Sequence, residues 1–230
     1  MRCAIIQPSY IPWRGFFHLI QKVDVFVFYD DVQYDKHGWR NRNRIKTANG
    51  PIWLTIPVSS RGNVVNKMPI SQIDIAWDSS WNAKHWTTIN QAYGRAPHFA
   101  ALASMLEPFF SDRPLKLADF TIELTVALAR RLGIKSRFVR SSKLGVSGDR
   151  MDHLMAVLRT VGATHYISGP SARAYMDESR FDEAGISLEY MTYDYPEYKQ
   201  LHPPYDGQVS VIDLMFMEGP RAPELIWGVR

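Results

Sequence analysis

Short apolar runs alternate along the chain with amphipathic stretches, and the two kinds of segment predict strands and helices in turn. Residues 23–29 form a continuous run of β-branched and aromatic residues, which is typical of a strand buried on both faces. Residues 3–7 predict a shorter strand, and the apolar stripe from Phe16 to Ile20 belongs to a helix between the two. A strand, a helix and a strand within about 30 residues indicate a βαβ unit with parallel strands.

The same alternation continues to the C-terminal part of the chain. Further strands are predicted at residues 52–58, 135–140, 164–168 and 187–193, and helices at about 80–93, 97–110, 115–132, 150–161 and 210–217. Ser147 is the predicted N-cap of the helix at 150–161, and a loop is predicted at 62–66. Together these elements predict an α/β fold in a single domain over residues 1–230. A mostly parallel sheet gives it a Rossmann-like three-layer architecture, with a helical insertion in the middle of the chain forming a lobe at about 79–132.

Composition narrows the class of protein. Hydrophobic residues make up 46% of the chain, enough for a substantial core, and the net charge of +4 suits an anionic substrate better than it suits a dedicated nucleic-acid binder. The single cysteine, Cys3, excludes an intrachain disulfide and a cysteine-based zinc site. No apolar stretch reaches the roughly 18 residues of a membrane span, and the N-terminus does not read as a signal peptide, so we expect a cytoplasmic protein.

Cofactor motifs give no assignment. The sequence has no Walker loop, no G-x-S-x-G and no G-x-G-x-x-G, and its histidines show no metal-binding spacing. The cofactor is therefore unknown, and no metal site is predicted.

Polar residues follow three of the predicted strands. Ligands of open α/β sheets bind beyond the carboxyl ends of the strands, so we expect these residues to converge on one edge. They are Gln7 and Tyr10 after the first strand, Asp30 and Asp31 after the second, and Ser168, Gly169 and Ser171 at a later strand-to-helix turn. The turn offers hydroxyls and backbone N–H groups to an anion, although Pro170 removes one donor.

Asp30 and Asp31 are the candidate catalytic residues, and three roles remain open for them. A carboxylate here can pair with a nearby arginine or cap a turn, act as a general base on an amine or hydroxyl, or bind a divalent metal. No second carboxylate stands at a spacing that supports the metal.

The segment from Arg40 to Arg44 alternates arginine with asparagine. In an extended conformation Arg40, Arg42 and Arg44 share one face, where their guanidinium groups suit phosphate or carboxylate, and Asn41 and Asn43 share the other. Gln33 and these asparagines are predicted to orient substrate hydroxyls. The alternative is a solvated edge strand whose charges block pairing with another sheet.

Trp13 is also predicted to contact the substrate. It follows the first strand, at the place where nucleotidylyltransferases of the Rossmann-like class carry two histidines that stabilise the transferring phosphoryl group. Trp13 and Phe16 occupy those two positions here. Adenylyl transfer by that device is therefore not expected.

Several motifs, in the same order, resemble the WbqC-like protein family. They are QPSYIPWRGFF, DVFVFYDDVQYDKHGWRNRNRIK, WLTIPV, YISGPSARAYMD, AGISLEYMTYDYPEYKQ and VSVIDLMF. The resemblance implies a bacterial cytoplasmic protein of O-antigen, capsule or related polysaccharide biosynthesis, a family for which transfer of glycine or another aminoacyl group to an amino sugar has been suggested. It assigns no catalytic residue.

The leading hypothesis is therefore a transferase that moves an aminoacyl group onto the amine of a sugar or similar acceptor. Its expected partners are an anionic or nucleotide-linked sugar and an aminoacyl-tRNA or carrier-protein donor. Two alternatives stay open: a metal-dependent glycosyltransferase or nucleotidylyltransferase-like enzyme, and a non-catalytic protein that binds a tRNA or carrier. The sequence does not predict an oligomeric state.

Overall fold

A computed structural model describes residues 1–59 and 68–228, and its centre is a five-stranded parallel sheet. The strands of the chain are β1 (Arg2–Ile6), β2 (Val25–Phe28), β3 (Arg42–Thr47), β4 (Gly50–Thr55), β5 (Arg137–Arg140), β6 (His165–Ser168) and β7 (Ser187–Tyr190). The helices are α1 (Arg14–Gln21), α2 (Trp81–Tyr93), α3 (Phe99–Ser111), α4 (Leu117–Arg131), α5 (Arg150–Thr160), α6 (Ser179–Glu183), α7 (Val211–Glu218) and α8 (Glu224–Trp227). The loop predicted at 62–66 lies outside the described residues.

The strand order in the sheet is β5-β2-β1-β6-β7, and every neighbouring pair is parallel. The chain starts at β1, adds β2 and β5 on one side, and then returns to add β6 and β7 on the other. This is the Rossmann-like arrangement, so the predicted fold class is confirmed. The first predicted βαβ unit is present, with Cys3 paired to Val25 and Ile6 to Phe28.

Helices cover both faces of the sheet. Ala4, Phe26 and Phe28 point to one face and share a hydrophobic core with α1, α4 and α7. Cys3, Val25 and their neighbours point to the opposite face and pack on α5 and α6. Alternate residues of β1 and β2 are thus buried on opposite sides, which is why these two strands have continuous apolar runs.

Helices α2, α3 and α4 lie in the region where the helical insertion was predicted, at about 79–132. They contribute residues to the same hydrophobic cluster as α1 and α7. The insertion is therefore packed onto one face of the sheet and enlarges its core.

Strands β3 and β4 form a separate antiparallel ribbon. The strand predicted at 52–58 corresponds to β4, which pairs with β3 in a register that sets Arg44 opposite Trp53 and Asn43 opposite Leu54. Asn43, Ile45 and Leu54 are buried, and the two apolar residues belong to the same hydrophobic cluster as residues of α2. Arg42, Arg44 and Trp53 lie toward solvent.

One local prediction is wrong. Asp149, not Ser147, precedes α5, and its side chain makes no capping hydrogen bond. Ser210 caps α7, since its Oγ accepts a hydrogen bond from the backbone N–H of Ile212. Across residues 1–59 and 68–228, no helix combines the length and apolar character that crossing a membrane requires.

Candidate functional site

The strand order creates a crevice between β1 and β6. The crossover from β1 leaves toward β2, and the crossover from β6 leaves toward β7 on the opposite side, so the loops after these two strands diverge. Ligands of open α/β sheets bind at such a switch point, outside the carboxyl ends of the strands. Gln7 follows β1 there, and Ser168 and Gly169 lie at the end of β6.

Two adjoining chambers occupy this crevice. They share Ile6, Arg40, Gly169 and Ser171 as common walls. The inner chamber, of about 640 Å³, is also lined by Gln7, Tyr29, Arg150, Tyr166, Ser168 and Tyr175. The outer chamber, of about 580 Å³, is also lined by Ser9, Trp13, Trp39, Asn43, Tyr193 and Gln208. The sequence-predicted residues Gln7, Trp13, Arg40, Asn43, Ser168, Gly169 and Ser171 are thus brought together.

Arg40 holds the loop that follows β1. Its Nη1 donates to the carbonyl oxygens of Gln7 at 3.0 Å and Pro8 at 3.3 Å, and to Ser9 Oγ at 2.9 Å. Its Nε is buried and has no hydrogen-bond partner among the residues that the structure describes. Burial lowers the pKa of Arg40 to about 10, although the Asp35 carboxylate opposes the shift, and the group stays cationic at neutral pH. A guanidinium that is partly buried and incompletely paired favours an anion in the crevice.

Asn43 fixes the next turn of the same loop. Its Nδ2 donates to the carbonyl oxygens of Tyr10 at 3.1 Å and Ile11 at 2.8 Å. Ile11 has a φ of 34°, in the left-handed region that β-branched residues rarely adopt. Such strain persists where the surroundings over-determine the backbone, and it clusters at functional sites.

Behind the inner chamber, Tyr29, His153 and Asp31 form a chain of titratable groups. Tyr29 Oη lies 2.9 Å from His153 Nδ1, and His153 Nε2 lies 3.1 Å from Asp31 Oδ2. The second contact has the distance of an ion pair but not the angle of a hydrogen bond, so Nε2 has no hydrogen-bond partner within residues 1–59 and 68–228. Burial and the Asp31 carboxylate raise the pKa of Tyr29 above its usual range.

The order of groups fits one tautomer of His153. With the proton on Nε2, beside Asp31, the Nδ1 atom accepts the hydroxyl proton of Tyr29. Tyr29 Oη then keeps its lone pairs for a group in the inner chamber. The arrangement is able to take a proton from a bound acceptor and store it on His153 next to a carboxylate.

The two adjacent aspartates have different environments. Asp30 is fully buried, and its carboxylate accepts from Arg140 Nε at 2.7 Å, Ser142 N at 3.0 Å and Ser142 Oγ at 2.9 Å. Asp31 is partly exposed and accepts from Ser141 Oγ while facing His153. These contacts favour a stabilising role for Asp30 and leave Asp31 better placed for chemistry. A catalytic role for either residue stays a prediction.

Ser168, Gly169 and Ser171, at the end of β6, form another wall of the inner chamber. Tyr166 Oη donates to Ser168 Oγ at 3.4 Å, and burial raises the pKa of Tyr166. The turn after β6 is a five-residue 3-10 helix, Pro170–Ala174. Hydroxyl groups, rather than a long helix dipole, are what this wall offers to a ligand.

Other predicted residues lie away from the two chambers. Tyr10 is buried, and its hydroxyl contacts His85 Nδ1 at 2.9 Å. Asn41 Nδ2 donates to the carbonyl of Ile56 at 2.8 Å, and Gln33 forms an isolated antiparallel bridge with Pro69. Arg42 and Arg44 lie on the outer face of the ribbon over Trp53, 4.9 and 5.9 Å from its ring centroid.

Sequence reasoning missed Tyr29 and His153 as site residues. Tyr29 looks like the last apolar residue of a strand, and His153 has no paired histidine on its helix. The one available signal was the position of Tyr29 directly before Asp30 and Asp31, at a strand end.

Within residues 1–59 and 68–228, no group of three or more His, Cys, Asp or Glu side chains is arranged to hold a metal ion. The donors at the crevice are instead an arginine, hydroxyls, and a histidine with one carboxylate.

The fold and the crevice define a Rossmann-like α/β protein with a polar site at the switch point of its sheet. The family model described as the WbqC-like protein family matches residues 7–225, so the chain belongs to the WbqC-like family. It is also 40% identical over 227 residues to the uncharacterized protein Rv1507c of Mycobacterium tuberculosis, an alignment that covers 98% of this chain and 97% of that protein. No solved structure matches the chain.

Proposed function

We propose that this protein is a transferase of bacterial surface-polysaccharide or natural-product biosynthesis, which joins an aminoacyl group, such as glycyl, to an amino sugar or similar amine. The observation that carries the proposal is the chain Tyr29, His153 and Asp31 beside a chamber that also contains Arg40. These three residues supply a base, and Arg40 supplies a partly buried positive charge for an anionic substrate.

In this proposal the acceptor amine lies in the inner chamber next to Tyr29. Tyr29 takes a proton from the amine as it passes its own proton to His153 Nδ1, and Asp31 stabilises the resulting imidazolium. The amine nitrogen forms a bond to the activated carbonyl carbon, the bond to the leaving group breaks, and the stored proton returns to that group. A raised pKa is compatible with this role, because Tyr29 is never required to exist as a free tyrosinate.

Arg40 and the serine hydroxyls bind the rest of the substrate in this scheme. The Nε of Arg40 has no partner among the described residues, and Ser168 and Ser171 line the inner chamber. Phosphate or carboxylate next to the sugar supplies the complementary charge.

A matched substrate pair tests the proposal. The purified protein is incubated with an aminoacyl donor (adenylate, thioester or RNA ester) and either a nucleotide-linked amino sugar or its N-acetylated counterpart, and products are detected by mass. We expect an amide-linked product from the free amine alone. Tyr29→Phe and His153→Gln should each lower turnover at least about a hundredfold with little change in acceptor affinity.

The matched control is Ser187→Ala, an exposed residue at the start of β7. Full turnover in both Tyr29→Phe and His153→Gln would show that the chain of three residues is not the base. Turnover that is lost to a chelator and restored by magnesium would instead support the metal-dependent glycosyltransferase alternative.

A further inference from the structure

Two exposed tryptophans stand side by side at the mouth of the outer chamber. Trp39 and Trp53 have 44% and 48% of their surface accessible, and their ring centroids are 5.2 Å apart. Trp39 also lines the outer chamber, whereas Trp53 continues the aromatic surface along the ribbon away from it. Core packing does not account for either ring.

Arginines accompany the tryptophans. The guanidinium carbons of Arg42 and Arg44 lie 4.9 and 5.9 Å from the Trp53 ring centroid. Arg42 Nη2 donates to the carbonyl of His37, and Arg44 Nη2 donates to the carbonyl and the side-chain oxygen of Gln208. In the described part of the chain, the Nε atoms of both arginines have no hydrogen-bond partner, and the carboxylate of Asp206 is 3.9 Å from Arg44 Nη2. The surface is therefore cationic as well as aromatic, with one acidic neighbour.

We infer that Trp39, Trp53, Arg42 and Arg44 form a platform for the unpaired 3′ end of an RNA. Aromatic rings that stack bases, interleaved with arginines that follow the phosphates, are the usual means by which proteins bind single-stranded nucleic acid. The platform is open to solvent and extends beyond one ring, which suits successive nucleotides of a strand better than a single enclosed nucleotide. It ends at Trp39, where a strand that follows it enters the outer chamber.

This inference deepens the proposed function, because an RNA end in the outer chamber identifies the donor as an acyl ester of the terminal ribose. The acceptor amine then attacks the ester carbonyl carbon, the bond from that carbon to the ribose oxygen breaks, and the ribose hydroxyl leaves with the proton stored on His153. The role of the RNA rests on the proposed transfer. Its binding to the platform does not.

Binding is measured by fluorescence anisotropy with a labelled RNA hairpin that ends in four unpaired 3′ nucleotides, and with the same hairpin made blunt. We expect the blunt hairpin to bind at least about tenfold more weakly. Trp53→Ala should weaken binding of the tailed hairpin about tenfold or more, and Trp53→Phe should retain most of it. Arg42→Gln with Arg44→Gln should flatten the dependence of log affinity on log salt by about 1 to 1.5.

Arg131→Ala, at an exposed arginine at the end of α4, is the matched control and should bind like the unmodified protein. Thermal melting of each variant verifies that it is folded. Equal binding of tailed and blunt hairpins, or binding unchanged in Trp53→Ala, overturns the inference. So does competition by a free mononucleotide at the same concentration as the tailed RNA, since the site would then take a nucleotide rather than a strand.

His153→Gln separates this inference from the proposed function. We expect it to bind the tailed hairpin normally while failing to transfer. Normal RNA binding with no transfer from any donor would refute the proposed function alone. Transfer from a small adenylate without RNA binding would refute the platform alone.

Discussion

At the scale of single residues, two neighbouring carboxylates show how environment separates roles that sequence leaves equal. Asp30 is enclosed by Arg140 and the Ser142 backbone, and Asp31 faces His153. Both follow the same strand, but consecutive residues point in different directions. The sequence indicated that an acidic pair lies at the sheet edge, and the contacts then distinguish the two members.

Replacing each aspartate by asparagine should therefore affect a different property: stability for Asp30 and turnover for Asp31. Asp30→Asn leaves the Arg140 guanidinium without one of its two carboxylates, and we expect a loss of about 2 to 3 kcal/mol in the free energy of unfolding. Asp31→Asn should change stability by less than about 1 kcal/mol but lower turnover about a hundredfold. Urea unfolding and the transfer assay measure the two effects, and a stable but inactive Asp30→Asn would contradict the division.

His85 makes stability depend on pH. Burial lowers its pKa to about 4, against 6.5 for an unperturbed histidine, and Nδ1 contacts the Tyr10 hydroxyl. As the pH falls from about 6.5 to about 4, the unfolded chain gains a proton on this histidine that the folded protein does not, so stability is lost in that window. Between pH 7 and pH 4.5 the contribution is about 2 to 3 kcal/mol.

His85→Gln isolates this contribution from the carboxylates that titrate in the same range. We expect the variant to be less stable than the unmodified protein at pH 7, with the difference narrowing by about 2 kcal/mol at pH 4.5. Urea unfolding at both pH values measures this. Parallel losses in the two proteins would mean that His85 is not the group responsible.

At the scale of elements, local periodicity predicted the sheet well. Strands β1 and β2 and helix α1 have apolar patterns long enough to identify them, and the structure places all three where expected. The ribbon was harder, because β3 reads RNRIKT and carries no apolar alternation to indicate an antiparallel partner. The contact between Tyr29 and His153 could not be predicted, because the two residues are 124 positions apart in sequence. They meet only because α5, which carries His153, packs on the sheet next to the end of β2.

Helix α1 begins with a tight contact that shapes the outer chamber. A Cβ added at Gly15 would lie 2.3 Å from Cζ2 of the Trp13 ring, closer than any real contact. Trp13 in turn packs edge-on against Tyr193, with ring centroids 4.9 Å apart. The glycine is therefore what lets the indole lie flat on the start of the helix and wall the chamber.

Gly15→Ala should displace Trp13 and destabilise the protein by about 1 to 3 kcal/mol, with weaker binding of ligand in the outer chamber. A double-mutant cycle checks the cause. Once Trp13→Ala has removed the ring, adding Gly15→Ala should cost nothing further and, by favouring the helix, stabilise slightly. If Gly15→Ala costs the same in both backgrounds, the helix backbone rather than the indole sets the requirement for glycine.

At the scale of the whole molecule, buried polar contacts join segments that are distant in sequence. Arg14 donates to Tyr205 Oη at 2.6 Å and to the carbonyl of Pro196 at 2.9 Å, which ties α1 to the tyrosine- and proline-rich segment before α7. Lys46 Nζ contacts the carbonyl of Pro204, which ties the ribbon to the same segment. The tyrosine- and proline-rich segment therefore holds the ribbon and α1 in a fixed relation on either side of the outer chamber.

The Tyr93 hydroxyl is a second buried polar group that joins distant segments, and it gives a last prediction. It accepts from the backbone N–H of Lys46 at 2.9 Å and donates to Asp213 at 2.9 Å, so one oxygen links β3, α2 and α7. Tyr93→Phe leaves a buried donor and a buried carboxylate oxygen unpaired, and we expect a loss of about 2 to 4 kcal/mol. Tyr198→Phe removes one donor to the same carboxylate, which keeps Gln200, and should cost about half as much. Equal losses in the two variants, measured by urea unfolding, would mean that Tyr93 bonds only to Asp213 and does not connect the ribbon to the core.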